Sequence, residues 1–162
     1  MKTVLIPTDF SIESLNTVKG ALKQCEGENT NLILVYGVYL SDSITDLLFF
    51  SKPKYLSTLQ SEKFTQACEI LKNKYDSQIH SLTIDLFTGY NQQAFENFLA
   101  GHSVDELFVP RSYRFKTGKR GFNLIPYFRK SSLPMTEIEW RESNLALGKD
   151  RLAELFLVSE NL

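Results

Sequence analysis

Short solid apolar runs alternate along this chain with longer stretches in which apolar residues recur every third or fourth position. The first run, Thr3 to Ile6, is β-branched and aliphatic throughout, the pattern of a strand covered on both faces. Pro7, Thr8 and Asp9 end it. Ser11 then offers a capping hydroxyl to a helix in which Leu15, Val18, Leu22 and Cys25 share one face, up to Gly27 and the polar residues beyond. Leu32 to Tyr39 repeats the buried-strand pattern, and Phe64, Ala67, Cys68, Leu71 and Tyr75 mark the inner face of a helix predicted from about Ser57 to Tyr75. The connection at 40–56 carries Pro53 and several serines, yet also Leu47, Leu48, Phe49 and Phe50, so it is expected to pack down as a lid or to serve as a partner surface.

Leu82, Ile84 and Leu86 predict a third strand, Asn91 to Ala100 a helix ended by Gly101, and Asp105 to Val109 a fourth strand. A short helix holding Ile125 and Phe128, with Pro126 early in it, leads to a fifth strand from Met135 to Trp140. Strands and helices that alternate in this way predict a three-layer α/β/α domain over 1–140 with a five-stranded parallel sheet. Residues 141–162 carry Leu152, Leu155 and Phe156 at helical spacing and predict a C-terminal helical extension, packed on the domain or on a dimer partner.

In such sheets a ligand lies beyond the carboxyl ends of the strands, where strand order reverses. Two loops qualify: Pro7 to Ser11 and Pro110 to Gly121. The second contains RSYRFKTGKRGF, residues 111 to 122, with five basic side chains, three aromatics and no acid. No acid occurs anywhere between Leu107 and Thr136. Arg111, Arg114, Lys116, Lys119 and Arg120 therefore suit a phosphate or another anion, and Tyr113, Phe115 and Phe122 suit stacking on a base; a solvated loop anchored by its aromatics has the same composition.

Composition narrows the function from the other side. A net charge of −1 over 162 residues gives no global attraction to nucleic acid or to a membrane, so any electrostatic function is local. The start, MKTVLIPTDF, has no signal-peptide core, and the apolar run Leu32 to Leu40 is too short to span a bilayer; a cytoplasmic protein is expected. Cys25 and Cys68 stand alone on helix stripes and are expected to be buried and reduced, with no metal. His80 and His102 are expected at the end of the sheet away from Asp9, as surface or capping residues, and no catalytic motif is present. No catalytic residue is assigned.

At IPTDFSIESLNTVKGAL, residues 6 to 22, the chain resembles the opening of a universal stress protein: strand, Pro, Thr, Asp, Phe, Ser, helix. LFTGYNQQAFENFLAGHSVDELFVP, residues 86 to 110, is similar to that family's third strand, glycine turn, third helix and fourth strand, and FRKSSLP, residues 128 to 134, to the approach to its last strand. The resemblance implies homodimers through the last strand and, in one branch, an ATP site on GxxG followed nine residues later by Gly and Ser or Thr. Asp9 matches the aspartate that lies near ribose and adenine in that branch.

The phosphate loop departs from the pattern. Pro110 and Tyr113 fall where its first two glycines belong, and Gly121 and Phe122 where Gly and the hydroxyl residue belong. A literal GxxG at Gly118 and Gly121 is followed by Ser131 and Ser132, but those serines abut the fifth strand instead of starting a helix. Proline has no amide hydrogen, and losing two or three phosphate hydrogen bonds weakens binding by about two to six powers of ten. The expectation is thus a non-enzymatic stress-response or regulatory domain with an eroded nucleotide site, acting through an unknown protein partner. The alternatives are an ATP, AMP or other phosphate sensor and a weak ATP hydrolase. Ligand candidates are Pro7, Thr8, Asp9, Val38, Val109, Arg111, Ser112, Arg114, Lys119, Arg120, Gly121 and Phe122. The competing reading has Asp9 accepting backbone hydrogen bonds from the next turn, which retains it without any nucleotide. A homodimer is expected through Met135 to Trp140 and the C-terminal extension, with 44–50 contributing, although Glu137 and Glu139 would face their mates across a two-fold axis.

Overall fold

The computed structural model describes residues 1–140; the predicted C-terminal extension lies outside the described residues. The elements in chain order are β1 (Lys2–Pro7), α1 (Leu15–Gln24), β2 (Thr30–Val38), α2 (Ile44–Leu48), α3 (Lys52–Leu59), α4 (Glu62–Lys74), β3 (Ile79–Phe87), α5 (Gln92–Gly101), β4 (Glu106–Pro110), β5 (Gly121–Phe122), α6 (Ile125–Arg129) and β6 (Met135–Ile138). Five strands are parallel in the order β3-β2-β1-β4-β6. The sixth, β5, was not expected: it is two residues long and runs antiparallel to the end of β2, Gly121 opposite Val38 and Phe122 opposite Gly37.

Two apolar layers clamp the sheet. One joins Val4, Ile6, Leu32 and Leu34 to α1 and α4 through Leu15, Val18, Phe64 and Leu71. The other joins Leu5, Val35, Leu107 and Val109 to α5 and α6 through Phe95, Leu99 and Phe128. Alternate residues of β1 thus feed opposite layers, which is why its sequence reads as one unbroken apolar run. Phe64, Phe95, Phe108 and Phe128 are fully buried, and a side chain of that size stabilises the fold by about 1.5–3 kcal/mol when taken out of water.

The local expectations need three corrections. The helix predicted from about Ser57 to Tyr75 is two, α3 and α4, separated by Gln60 and Ser61 in extended backbone; Ser61 Oγ accepts the Phe64 amide at 3.1 Å and so starts a new helix. Ser11 does not cap α1 directly. Its Oγ accepts the Ser14 amide at 3.2 Å, closing a turn before the helix begins at Leu15. The 40–56 segment forms α2 and the start of α3, and of its apolar cluster only Phe50 turns inward, packing on Tyr55 while Leu47, Leu48 and Phe49 stay exposed.

Candidate functional site

The chain leaves β4 at Pro110 and re-enters the sheet at Gly121 beside β2, and β1 lies between those two strands. Residues 111–120 therefore cross over the carboxyl end of β1. That is the place where strand order reverses and where a doubly wound sheet leaves its crevice open. Here the crossing loop covers it.

Asp9, just after β1, holds the loop down. Its Oδ2 accepts the Tyr113 hydroxyl at 2.6 Å and the Lys116 amide at 2.8 Å, while Oδ1 accepts the Ser11 hydroxyl at 2.5 Å and the Ser11 amide at 3.1 Å. Ser11 Oγ and Tyr113 Oη lie 2.9 Å apart, but each has one proton and each proton points to the carboxylate. Both oxygens of Asp9 are thus engaged by protein donors. Tyr113 also lies over Trp140, with ring centroids 4.7 Å apart, and meets Phe115 edge-on at 5.3 Å. The turn reading of Asp9 holds through Ser11, and the loop contacts extend it beyond local capping.

Beneath the loop, Tyr36 of β2 reaches the literal GxxG. The Gly118 amide donates to Tyr36 Oη at 3.0 Å, and a Cβ placed on Gly121 would stand 2.0 Å from that oxygen. The glycines let the backbone come close to an oxygen, as they do around phosphate, but the oxygen is a phenol of the same chain. Sequence reading missed Tyr36 because it sits inside an apolar strand; the signal was its hydroxyl, which needs a partner once buried.

Phe10 turns its ring inward against Tyr36 and Phe64, at 5.2 and 5.5 Å between centroids, and has φ 63°. A bulky residue in that region costs about 1–3 kcal/mol, so packing of the ring supports a strained turn at the foot of Asp9. Among the described residues, a cavity of about 10 Å³ beneath the loop is lined by Pro7, Thr8, Tyr36, Phe115, Thr117 and Phe122 among others. That volume accommodates about one water, whereas small-molecule pockets run from about 300 Å³ upward.

The remaining candidates divide. Thr8 is buried and its hydroxyl already contacts Ser14 Oγ at 2.9 Å and accepts the Phe10 amide at 3.1 Å. Val38 and Val109 are buried in separate apolar clusters, and Phe122 packs on Tyr39 at 4.4 Å between centroids. Arg111 is committed elsewhere: Nε lies 3.1 Å from Glu137 and Nη1 2.7 Å from Glu139. The loop lacks acids in sequence, but the fold brings Asp9, Glu137 and Glu139 to it. Arg129 also reaches Glu137 at 3.2 Å, so Glu137 and Glu139 each face an arginine of their own chain. Ser112, Arg114, Lys119 and Arg120 are exposed.

A second charged cluster lies at the β3 edge. Asp85 Oδ2 is 2.7 Å from His102 Nε2, and Oδ1 takes the Lys52 ammonium and the Leu86 amide at 2.9 and 2.8 Å. Burial pushes the Asp85 carboxyl up, but the hydrogen bonds from Lys52, Leu86 and His102 together with the Lys52 charge outweigh it and hold the group below its ordinary value. His102 also caps α5, with Nδ1 2.9 Å from the Phe98 carbonyl; its capping role was expected and its carboxylate partner was not. Cys25 and Cys68 are free and buried, and burial pushes the Cys68 thiol up to about 12. Among the described residues no three acids, histidines or cysteines gather as a metal site, and no helix is long and apolar enough to cross a membrane.

No protein-family model matches the chain, and no curated protein matches it. Solved structures do. A hypothetical protein, PH0823, is 19% identical with a TM-score of 0.53 over 88% of this chain and 99% of its own. A universal stress protein in complex with cAMP is 17% identical with a TM-score of 0.52, over 85% and 96%. A protein from the universal stress protein family of Burkholderia pseudomallei is 13% identical with a TM-score of 0.50, over 85% and 95%. The likeness is one of fold, and it bears out the α/β architecture that the opening motif implies.

Proposed function

We propose that this chain is a universal-stress-protein-like regulatory domain whose nucleotide crevice is closed by its own loop, and that it acts through protein contacts without turnover. The observation that carries this reading is the double engagement of Asp9 by Tyr113 and Lys116. A nucleotide entering the crevice must displace both donors. Hydrogen bonds to a charged group contribute about 1.5–3 kcal/mol each, so opening costs about 3–6 kcal/mol and lowers apparent affinity by about two to four powers of ten. A site of intrinsically micromolar strength then binds no tighter than about 0.1 mM. The carboxylate of Asp9, held by four donor contacts, is also poorly placed to serve as a base for hydrolysis. Two buried free thiols fit a reducing, cytoplasmic setting.

The test is calorimetric titration with ATP, AMP and cAMP in parallel. Affinities weaker than about 0.1 mM for all of them agree with closure. Micromolar binding of any one overturns it.

A second reading, an anion sensor, draws on the exposed side chains of Arg114, Lys119 and Arg120 at the outer surface of the loop. It needs no entry into the crevice. It predicts pyrophosphate binding that is lost in the triple alanine variant; binding unchanged by those substitutions removes this reading.

A further inference from the structure

Between α1, the end of α4 and β6 lies a cavity of about 460 Å³, within the range of about 300–1,000 Å³ that small-molecule sites occupy. Leu22, Tyr75, Ile138 and Trp140 give it apolar walls, and Lys19 and Gln78 are among its polar groups. The walls are fixed by contacts of their own. Trp140 Nε1 donates to Thr17 Oγ1 at 2.8 Å, and the Gln78 side-chain amide donates to the Leu22 carbonyl. Gly20 lets α1 approach β6 closely, since a Cβ there would collide with the Ile138 side chain. The cavity is therefore bounded by packed elements and not by loop tips.

Its charges favour an anion. Lys19 is half-buried, and the Lys74 ammonium lies over the Tyr75 ring, 5.8 Å from its centroid, which brings a second cation to the same end of the cavity. Burial pushes the Lys19 ammonium down to about 8, and the Lys74 charge adds to the shift. Taking one cation partly out of water beside another is unfavourable, and a negative group in the cavity offsets both effects. The other charged side chains at its edge are Lys23 on α1, Glu26 just beyond α1, and Glu139 after β6, which Arg111 engages. Both glutamates are exposed and oppose a multiply charged group, so a single negative charge suits the site better than a phosphate chain.

We propose that this cavity binds a small monocarboxylate with an apolar body, the carboxylate held by Lys19 and the body packed on Leu22, Tyr75, Ile138 and Trp140. An ammonium and a carboxylate make a charge-assisted hydrogen bond, and the apolar walls supply the burial that holds the rest of the molecule. The site lies apart from Asp9, and the proposal does not depend on whether the crevice binds nucleotide.

Trp140 is the single tryptophan of the chain, so its fluorescence reports what enters. The full chain is titrated with octanoate, 1-octanol and octylamine, which share a body and differ in the head group. Octanoate is expected to bind at least about tenfold tighter than either of the others, and Lys19→Met to weaken octanoate about tenfold or more while leaving 1-octanol unchanged. The anion favours the ammonium form of Lys19, so binding takes up a proton near pH 8. Affinity of the wild type for octanoate is accordingly expected to fall about tenfold from pH 7 to pH 9, a decline that Lys19→Met abolishes. The pH series on the wild type stands by itself if the variant does not fold. Absence of saturable octanoate binding by the full chain overturns the proposal, whatever part residues 141–162 take in it. So does octanoate binding that is indifferent to pH and to Lys19→Met.

Discussion

The Tyr113 hydroxyl donates to Asp9 Oδ2 at 2.6 Å, joining the turn after the first strand to a loop 104 residues further on. Two consequences follow from this contact. It fixes the path of the basic loop over the end of β1, and it occupies the carboxylate that the family resemblance would assign to a nucleotide. The loop is therefore held by the very residue whose presence in the sequence suggested binding.

Tyr113→Phe keeps the ring on Trp140 and removes only the hydroxyl. The variant is expected to lose about 1.5–2 kcal/mol by urea unfolding, the lower part of the range for a hydrogen bond to a charged group, because the site is partly exposed. Asp9→Ala removes both loop contacts and is expected to speed tryptic cleavage after Arg114, Lys116, Lys119 and Arg120 about tenfold or more, as the latched loop is cleaved only when it opens. Equal cleavage rates in wild type and variant would show that Asp9 does not hold the loop.

Gly121→Ala places a methyl group 2.0 Å from Tyr36 Oη and 2.7 Å from Cζ. A destabilisation of about 1–3 kcal/mol is expected, with partial recovery in the Tyr36→Phe background because the oxygen is gone while the ring remains. A double-mutant cycle from thermal unfolding measures this. Strict additivity would place the constraint on Gly121 elsewhere than Tyr36.

The Asp85 carboxyl has its folded value below the ordinary 3.8, so its contribution to stability is complete above about pH 4 and is lost as pH falls through the folded value. Lys52→Met removes the largest favourable influence on that group. The stability difference between wild type and Lys52→Met is expected to be full at pH 7 and to shrink steadily below pH 4, as read from urea midpoints across that range. A difference independent of pH would mean that Lys52 acts by packing alone.

The alternation of solid apolar runs with helical stripes carried much of the fold. Thr3 to Ile6 and Leu32 to Tyr39 read as buried strands because parallel strands covered on both faces have no polar side to show. Stretches governed by single hydrogen bonds were harder: Ser61 splits a predicted helix through one accepted amide, and the two-residue β5 has no periodicity to detect. At the site, Asp9, Gly121 and the basic loop were legible as candidates. The direction of their contacts was not.

The sequence by itself determined the order of the five parallel strands, the two covered faces of the sheet and the loops that meet at its carboxyl end, since each rests on periodicity within a dozen neighbouring residues or on a topological rule. Only the tertiary structure decided which groups meet at the end of β1. Whether Asp9 meets a ligand or Tyr113, and whether Gly118 and Gly121 cradle a phosphate or the Tyr36 hydroxyl, depends on which loop passes over which strand. That is set by sheet order and by packing between distant segments, about which local residue patterns carry no information.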